Sequence, residues 1–195
     1  MYYYLSPERV KGTVPRSDRF RADVSVITGS AQLSDFKGSG YDRGHLCPAA
    51  DNKHTKEAML ESFFMSNMSP QVPSFNRGIW KQSEEQFREW ALEREGIYVV
   101  TAGVLSDTLE TIGENRVSIP DYYYKIAYSP RDSVMVGFLL SNEGTKSDLK
   151  EFMVPVDSIE TMTGIDFFPQ LEDEMEERLE GGACREKWFH ERDKP

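Results

Sequence analysis

A mixed α+β fold, with helices packed on a central antiparallel sheet, follows from three features of this 195-residue sequence. Apolar residues recur with a helical period up to position 95 and change to strand-like runs from position 97. Two such runs, YYYKIAYS at 122–129 and SVMVGFLL at 133–140, are rich in Val, Ile, Tyr and Phe and lie a short turn apart, as in a hairpin. No repeat, low-complexity tract or Pro/Gly-rich linker divides the chain, and one domain usually takes about 100–200 residues. A single domain over 1–195 is expected.

The elements follow in order. The head offers two short strands, Tyr2 to Leu5 and Val24 to Ile27, separated by basic, turn-rich sequence. Between Thr55 and Met65, the spacing of Met59, Leu60, Phe63 and Phe64 predicts a short helix. From Gly78 to Glu95, Trp80, Phe87 and Trp90 or Ala91 share one face of an amphipathic helix that Gly96 is placed to end. IYVVTAGVL at 97–105 is the next strand, and the hairpin follows, bounded by Pro120 and broken at Ser129-Pro130. A capping box at Asp157 and Glu160 opens a short helix that Gly164 closes. The last helix, Gln170 to Glu180, stops at Gly181-Gly182, and its acidic run LEDEMEERLE reads as a solvated face.

Composition excludes several classes. Aromatic residues make up 12% of the chain, enough large groups to offset ordering entropy, so this is not a disordered protein. The longest apolar run, Val134 to Leu140, has Gly137 inside it and falls far short of the roughly 20 residues of a membrane span. The first residues, MYYYLSPERV, lack the basic and apolar regions of a signal peptide. Cys47 and Cys184 form neither a disulfide framework nor a CxxC pair. His45, His54 and His190 contain no i, i+4 pair, which excludes the HExxH and zinc-finger patterns. A metal here must be held mainly by oxygen, as suits a hard ion such as Mg2+. The net charge of −10 argues against a strongly basic nucleic-acid coat. It is unevenly spread, however. Residues 1–50 hold seven basic and five acidic groups, whereas residues 141–195 hold seven and fifteen, which leaves room for a basic cleft near the head.

One stretch, SGYDRGHLCPAADN at 39–52, crowds Asp42, Arg43 and His45 around Gly44. Packing gives no reason to gather an acid, a guanidinium and an imidazole there. A loop with a surface ion pair and a solvated histidine is one reading. A phosphodiester site is the other: a base for water, a cation for phosphate oxygens, and a glycine to aim both.

DRGHLCPAA resembles the signature of the DNA/RNA non-specific endonucleases, the ββα-metal (His-Me finger) family of secreted bacterial nucleases and mitochondrial endonuclease G. MSNMSPQVPSFNRGIWKQSEE at 65–85 resembles that family's second block: Ser-Asn, Pro-Gln, then Asn, Trp and a Glu eight residues after the Asn. The resemblance spans residues 4–168 and implies a ββα-metal nuclease fold. It implies a Mg2+-dependent endonuclease hydrolysing DNA and RNA without base specificity, with Mn2+ able to substitute and 5′-phosphates on the products.

By this resemblance His45 is the general base, and Asn76 is the single protein ligand of the metal. Asn76 also precedes the 78–95 helix, where it could instead serve as an N-cap. Glu84 is eight residues further on, a drift of about 80° around a helix, and would orient the metal's water shell. Arg43 would face the phosphate or the leaving side of the phosphorus. Arg16, in the basic segment Arg16-Ser-Asp-Arg19-Phe20-Arg21, would bind phosphate, with Arg19 competing for that role. Asn67 and Gln71 match positions near the site; Asn67 is expected to touch substrate, or else both hold the loop or the metal waters. Cys47, two residues after His45, makes a cysteine hydrolase a formal alternative that leaves Asn76 unexplained. A catalytically silent nucleic-acid-binding module would lack His45 or Asn76, and both are present. The secreted relatives imply a secreted or periplasmic protein whose export signal lies outside this sequence. The expected partners are DNA and RNA, with no membrane, and a homodimer is left open.

Overall fold

The computed structural model describes residues 1–182 and 185–189; Cys184 and His190 lie outside them. The chain begins β1 (Tyr2–Leu5), α1 (Pro7–Lys11), α2 (Leu33–Phe36), β2 (Asp42–His45), α3 (Lys56–Glu61), β3 (Met68–Gln71), α4 (Pro73–Phe75) and α5 (Lys81–Glu93). It continues through β4 (Ile97–Gly103), β5 (Thr111–Ile112), β6 (Val117–Ser118), β7 (Tyr122–Ser129) and β8 (Val134–Ser141). Last come β9 (Met153–Val154), α6 (Val156–Thr163), α7 (Asp173–Glu180) and α8 (Arg185–Trp188).

A five-stranded antiparallel sheet in the order β1-β4-β7-β8-β9 is the frame. Both faces of its central strands are covered, so β7 and β8 read as nearly continuous apolar runs. On one face Val99, Tyr123, Ala127, Val136 and Phe138 pack against Trp80 and against Phe87, Trp90 and Ala91 of α5. On the other, Val100, Tyr124, Ile126 and Met135 meet Val156 and Ile159 of α6, with Phe168 and Leu179. The expected mixed fold, the hairpin and the helix within 55–65 are all present.

A separate two-stranded ladder rides on the α5 side. β2 and β3 pair antiparallel, with Asp42 opposite Gln71, Arg43 opposite Pro70, Gly44 opposite Ser69 and His45 opposite Met68. Tyr123 and Asn142 donate to the carbonyl of Pro70 at 2.8 and 3.1 Å, tying this ladder to the main sheet.

Three expectations need correction. Val24 to Ile27 is not a strand: Val24 and Ile27 are fully exposed, and Asp23 turns the chain by accepting the Ser25 N–H at 3.0 Å. No capping box forms at Asp157 and Glu160. The helix starts at Val156 with Pro155 at its N-cap, and the Glu160 carboxylate instead accepts the Phe167 N–H at 2.9 Å. The acidic run that ends in α7 is not wholly solvated, because Glu180 is 3% exposed. Gly164 does close α6, in the left-handed region at φ 68°.

Candidate active site

His45 ends β2, and its backbone carbonyl accepts the Trp80 indole N–H at 3.1 Å. Its ring is buried, edge-on to Phe63 at 5.0 Å and tilted against Phe20 at 5.9 Å. Nε2 is buried with no protein partner. Burial, followed by the positive charges of Arg16 and Arg43, holds the imidazole down to about 4. At pH 7 the ring is neutral and able to accept a proton.

The same aromatic pair seats two guanidinium groups. Arg43 lies over Phe20 at 4.1 Å and Arg16 over Phe63 at 4.9 Å, with Arg16 also paired to Asp18 at 2.6 Å. Both charges bear on His45. Arg19 is exposed and does not figure among the charges acting on that ring.

Asp42 organises the second half of the site. It receives Nε and Nη2 of Arg77 at 2.8 and 2.7 Å and Nδ2 of Asn76 at 2.8 Å. These bonds and the nearby cations hold its carboxyl below the usual range despite partial burial. Since a carboxylate only accepts, the Asn76 amide must present its nitrogen to Asp42, and among the described residues no donor reaches its Oδ1. Asn76 sits inside helical backbone, where a π-helical turn runs from Asn76 to Trp80 and Gly78 leaves helical geometry. It is therefore not an N-cap, and the two roles weighed from sequence do not compete. A neutral amide oxygen is a hard donor that suits Mg2+, which keeps most of its waters. The buried Gln71 amide packs over Gly44 with both its nitrogen and oxygen unpartnered.

Asn67 has another role. Its Oδ1 accepts the Cys47 N–H at 2.9 Å, and its Nδ2 donates to the carbonyls of Cys47 and Ser62 at 2.8 and 2.9 Å. At 3% exposed, it pins the loop behind His45, and its expected share in substrate binding is withdrawn. The Cys47 thiol is buried, receives Asn52 Nδ2 at 3.2 Å and is pushed up to about 11, so it carries no thiolate for a hydrolase.

Glu84 stands on α5 among the charges of Lys125, Asp51 and Arg88, and its carboxyl is raised chiefly by burial. Lys125 is buried in β7 with Nζ 4.2 Å from the Trp80 ring, and burial lowers it. Arg88 and Tyr3 both bind Asp51, at 3.0 and 2.8 Å. No hydrogen bond joins Glu84 to Asn76 among the described residues. Sequence reasoning missed Asp42 as the organiser of Asn76 and Arg77, and it missed the Lys125–Asp51–Arg88 cluster. Two signals were available: a lone lysine within the apolar run YYYKIAYS, and Arg88 four residues after Glu84 on one helix.

An antiparallel pair of strands, the first ending in a buried histidine, followed by the helical turn at Asn76 that runs on into α5, is the arrangement of a ββα-metal nuclease fold. The chain belongs to the DNA/RNA non-specific endonuclease family, whose profile matches residues 1–174. It is 32% identical over 189 residues to the mouse (Mus musculus) protein "Nuclease EXOG, mitochondrial", covering 87% of this chain and 51% of that one. It is 31% identical over 184 residues to human (Homo sapiens) "Endonuclease G, mitochondrial", covering 86% and 62%. It thus spans about half to three-fifths of the length of these relatives, whose names put them in mitochondria rather than outside the cell. The fold is that of the EndoG component in a crystal structure of an EndoG/EndoGI complex, at a TM-score of 0.82 and 29% identity, over 89% of this chain and 79% of that one. No helix among the described residues is long and apolar enough to cross a membrane.

Proposed function

We propose that the chain is a Mg2+-dependent endonuclease that hydrolyses phosphodiester bonds of DNA and RNA, with His45 as general base. The observation that carries this reading is a buried, neutral imidazole with a free Nε2, flanked by two guanidinium groups and an amide oxygen left open by Asp42. His45 Nε2 takes a proton from the attacking water. Arg43 and Arg16 meet the phosphate's oxygens, where negative charge grows as water attacks. Their seats on Phe20 and Phe63 leave the guanidinium edges to bind oxygen. Asn76 would hold the metal through Oδ1, and Asp42 fixes which atom of that amide is offered. When bound there, Mg2+ supplies neutralisation of charge on the leaving 3′ oxygen. Glu84, whose carboxyl is balanced by Lys125 and Arg88, would accept hydrogen bonds from the metal's waters. Contacts to phosphate carry no sequence information, in keeping with cleavage indifferent to base.

The test is incubation with plasmid and with RNA, with Mg2+ and then with EDTA, for the parent and for His45→Ala. Cleavage of both substrates, stopped by EDTA, is expected, with His45→Ala about 10²–10⁴-fold slower and DNA binding retained. If His45→Ala cut at more than about a tenth of the parent rate, His45 could not be the base. Asn76→Ala should weaken Mg2+ binding by calorimetry and recover part of its rate at high Mg2+.

A further inference from the structure

On the sheet face opposite the candidate active site, Asp157 and Glu160 of α6 and Glu180 at the end of α7 each bring a carboxylate oxygen within 4.8 Å of the other two. Acidic clusters are common, but this one has an unusual member. Glu180 is 3% exposed, and its Oε1 is buried with no hydrogen-bond partner. Oε1 of Glu176, one turn earlier, is equally orphaned. Among the described residues no salt bridge reaches any of these acids. Asp166, between the two helices, adds its negative charge to Glu160, Glu176 and Glu180. Burial and these like charges push Glu180 up to about 8 and also raise Glu160 and Glu176. Glu180, buried beside these half-buried and exposed acids and with no counter-charge among the described residues, must either hold a proton or meet a cation.

We propose that Asp157, Glu160 and Glu180 bind a Ca2+-type divalent cation that clamps the end of α7 to α6, a structural site separate from the catalytic one. Ca2+ takes oxygen ligands at about 2.3–2.6 Å, so two oxygens on one ion lie no more than about 5 Å apart, and these three lie within 4.8 Å of one another. Mg2+ is smaller and demands near-ideal octahedral geometry. Flexible carboxylates on two helices suit the larger ion. Glu160 gives Oε1 to the Phe167 N–H, leaving its second oxygen for the cation. Gly181 leaves the Asp157 carboxylate room, since even a Cβ there would stand 3.5 Å from its Oδ2. Occupancy would satisfy Glu180 and anchor α7, which otherwise holds the sheet through few large side chains, Leu179 and Met175 among them.

The experiment uses the whole chain carrying Asn76→Ala, stripped of metal, so that the catalytic ligand is absent. Calorimetry with CaCl2 should find one bound ion per chain, and Ca2+ should raise the Tm more than the same concentration of Mg2+. Adding Glu180→Gln, or separately the exposed and milder Asp157→Asn, should weaken Ca2+ binding at least tenfold and remove the Tm rise. No Ca2+ binding in the Asn76→Ala protein would overturn the site, as would binding unchanged by both added substitutions. A Glu180→Gln protein that gains Tm without metal, beside a parent indifferent to Ca2+, would also overturn it: the cluster would then hold protons. Because cleavage is not the readout, this result stands apart from whether His45 is the base.

Discussion

The imidazole of His45 is held near 4 while an unfolded chain's histidine titrates near 6.5, and the sign of the consequence follows directly. Between those values the unfolded chain binds the proton and the folded one does not, so stability falls as pH drops from about 6.5 to about 4. The loss amounts to about 3 kcal/mol. Urea unfolding at pH 7 and at pH 4.5 should therefore cost the parent more stability than it costs His45→Gln. In the metal-free protein an NMR titration of His45 should give a midpoint near 4, and Arg16→Ala should move it upward by removing one of the opposing charges. A midpoint near 6.5 would mean that the ring is solvated. Asp42 supports a second prediction at this scale. It orients Asn76 from behind, and removing such a partner usually costs 10–100-fold in metal affinity. Asp42→Ala should show that loss by calorimetry, together with a rate that rises again at high Mg2+. The roles of His45, Arg43 and Asn76 could be proposed from sequence because DRGH and its companion block resemble the two motifs of the endonuclease family. That Asp42 orients Asn76 could not be, because the bond joins residues 34 apart.

The elements hold these side chains through close approaches that limit substitution. Gly44 pairs with Ser69 in the β2–β3 ladder, and a Cβ added to it would fall 2.0 Å from Oε1 of Gln71, whose side chain is fully buried. Gly44→Ala should force that amide out of its place and destabilise the protein by about 1–3 kcal/mol, with activity falling as well. Gly164→Ala provides a contrast at the end of α6: nothing lies within 4 Å of the added Cβ, but φ is 68°, so a cost of about 1 kcal/mol without loss of activity is expected. Urea denaturation and plasmid cleavage on the two variants separate crowding at the site from backbone strain far from it. Strands β4, β7 and β8 were legible because burial on both faces leaves long runs of apolar and aromatic residues. Val24 to Ile27 shares that composition over four residues, but the Asx turn at Asp23 outweighs so short a run. Trp80, Phe87 and Trp90 revealed α5, whereas the π-helical turn before it was hidden because Gly78 breaks the helix without breaking the apolar period.

Across the whole molecule, charge is divided between the two faces of the sheet. The basic head supplies Arg16 and Arg43 to the site, while α7 and the acids around Glu180 lie on the far side. With −10 overall, the far side repels a polyanion and turns the near side toward it, so orientation comes from repulsion as much as from attraction. The attractive footprint is then a few arginines and the metal. Counterion release makes the logarithm of affinity fall with the logarithm of salt by about 0.9 per phosphate contacted on duplex DNA. A catalytically dead His45→Ala protein at fixed Mg2+ should therefore bind duplex DNA with a slope of about −2 to −4, and Arg16→Ala in that background should make it shallower by about one unit. Such binding is weak at physiological salt, which suits the proposed base-indifferent cleavage and release of fragments. A slope steeper than about −6 would require a basic footprint wider than Arg16, Arg43 and their neighbours provide, and the single-cleft reading would have to be abandoned.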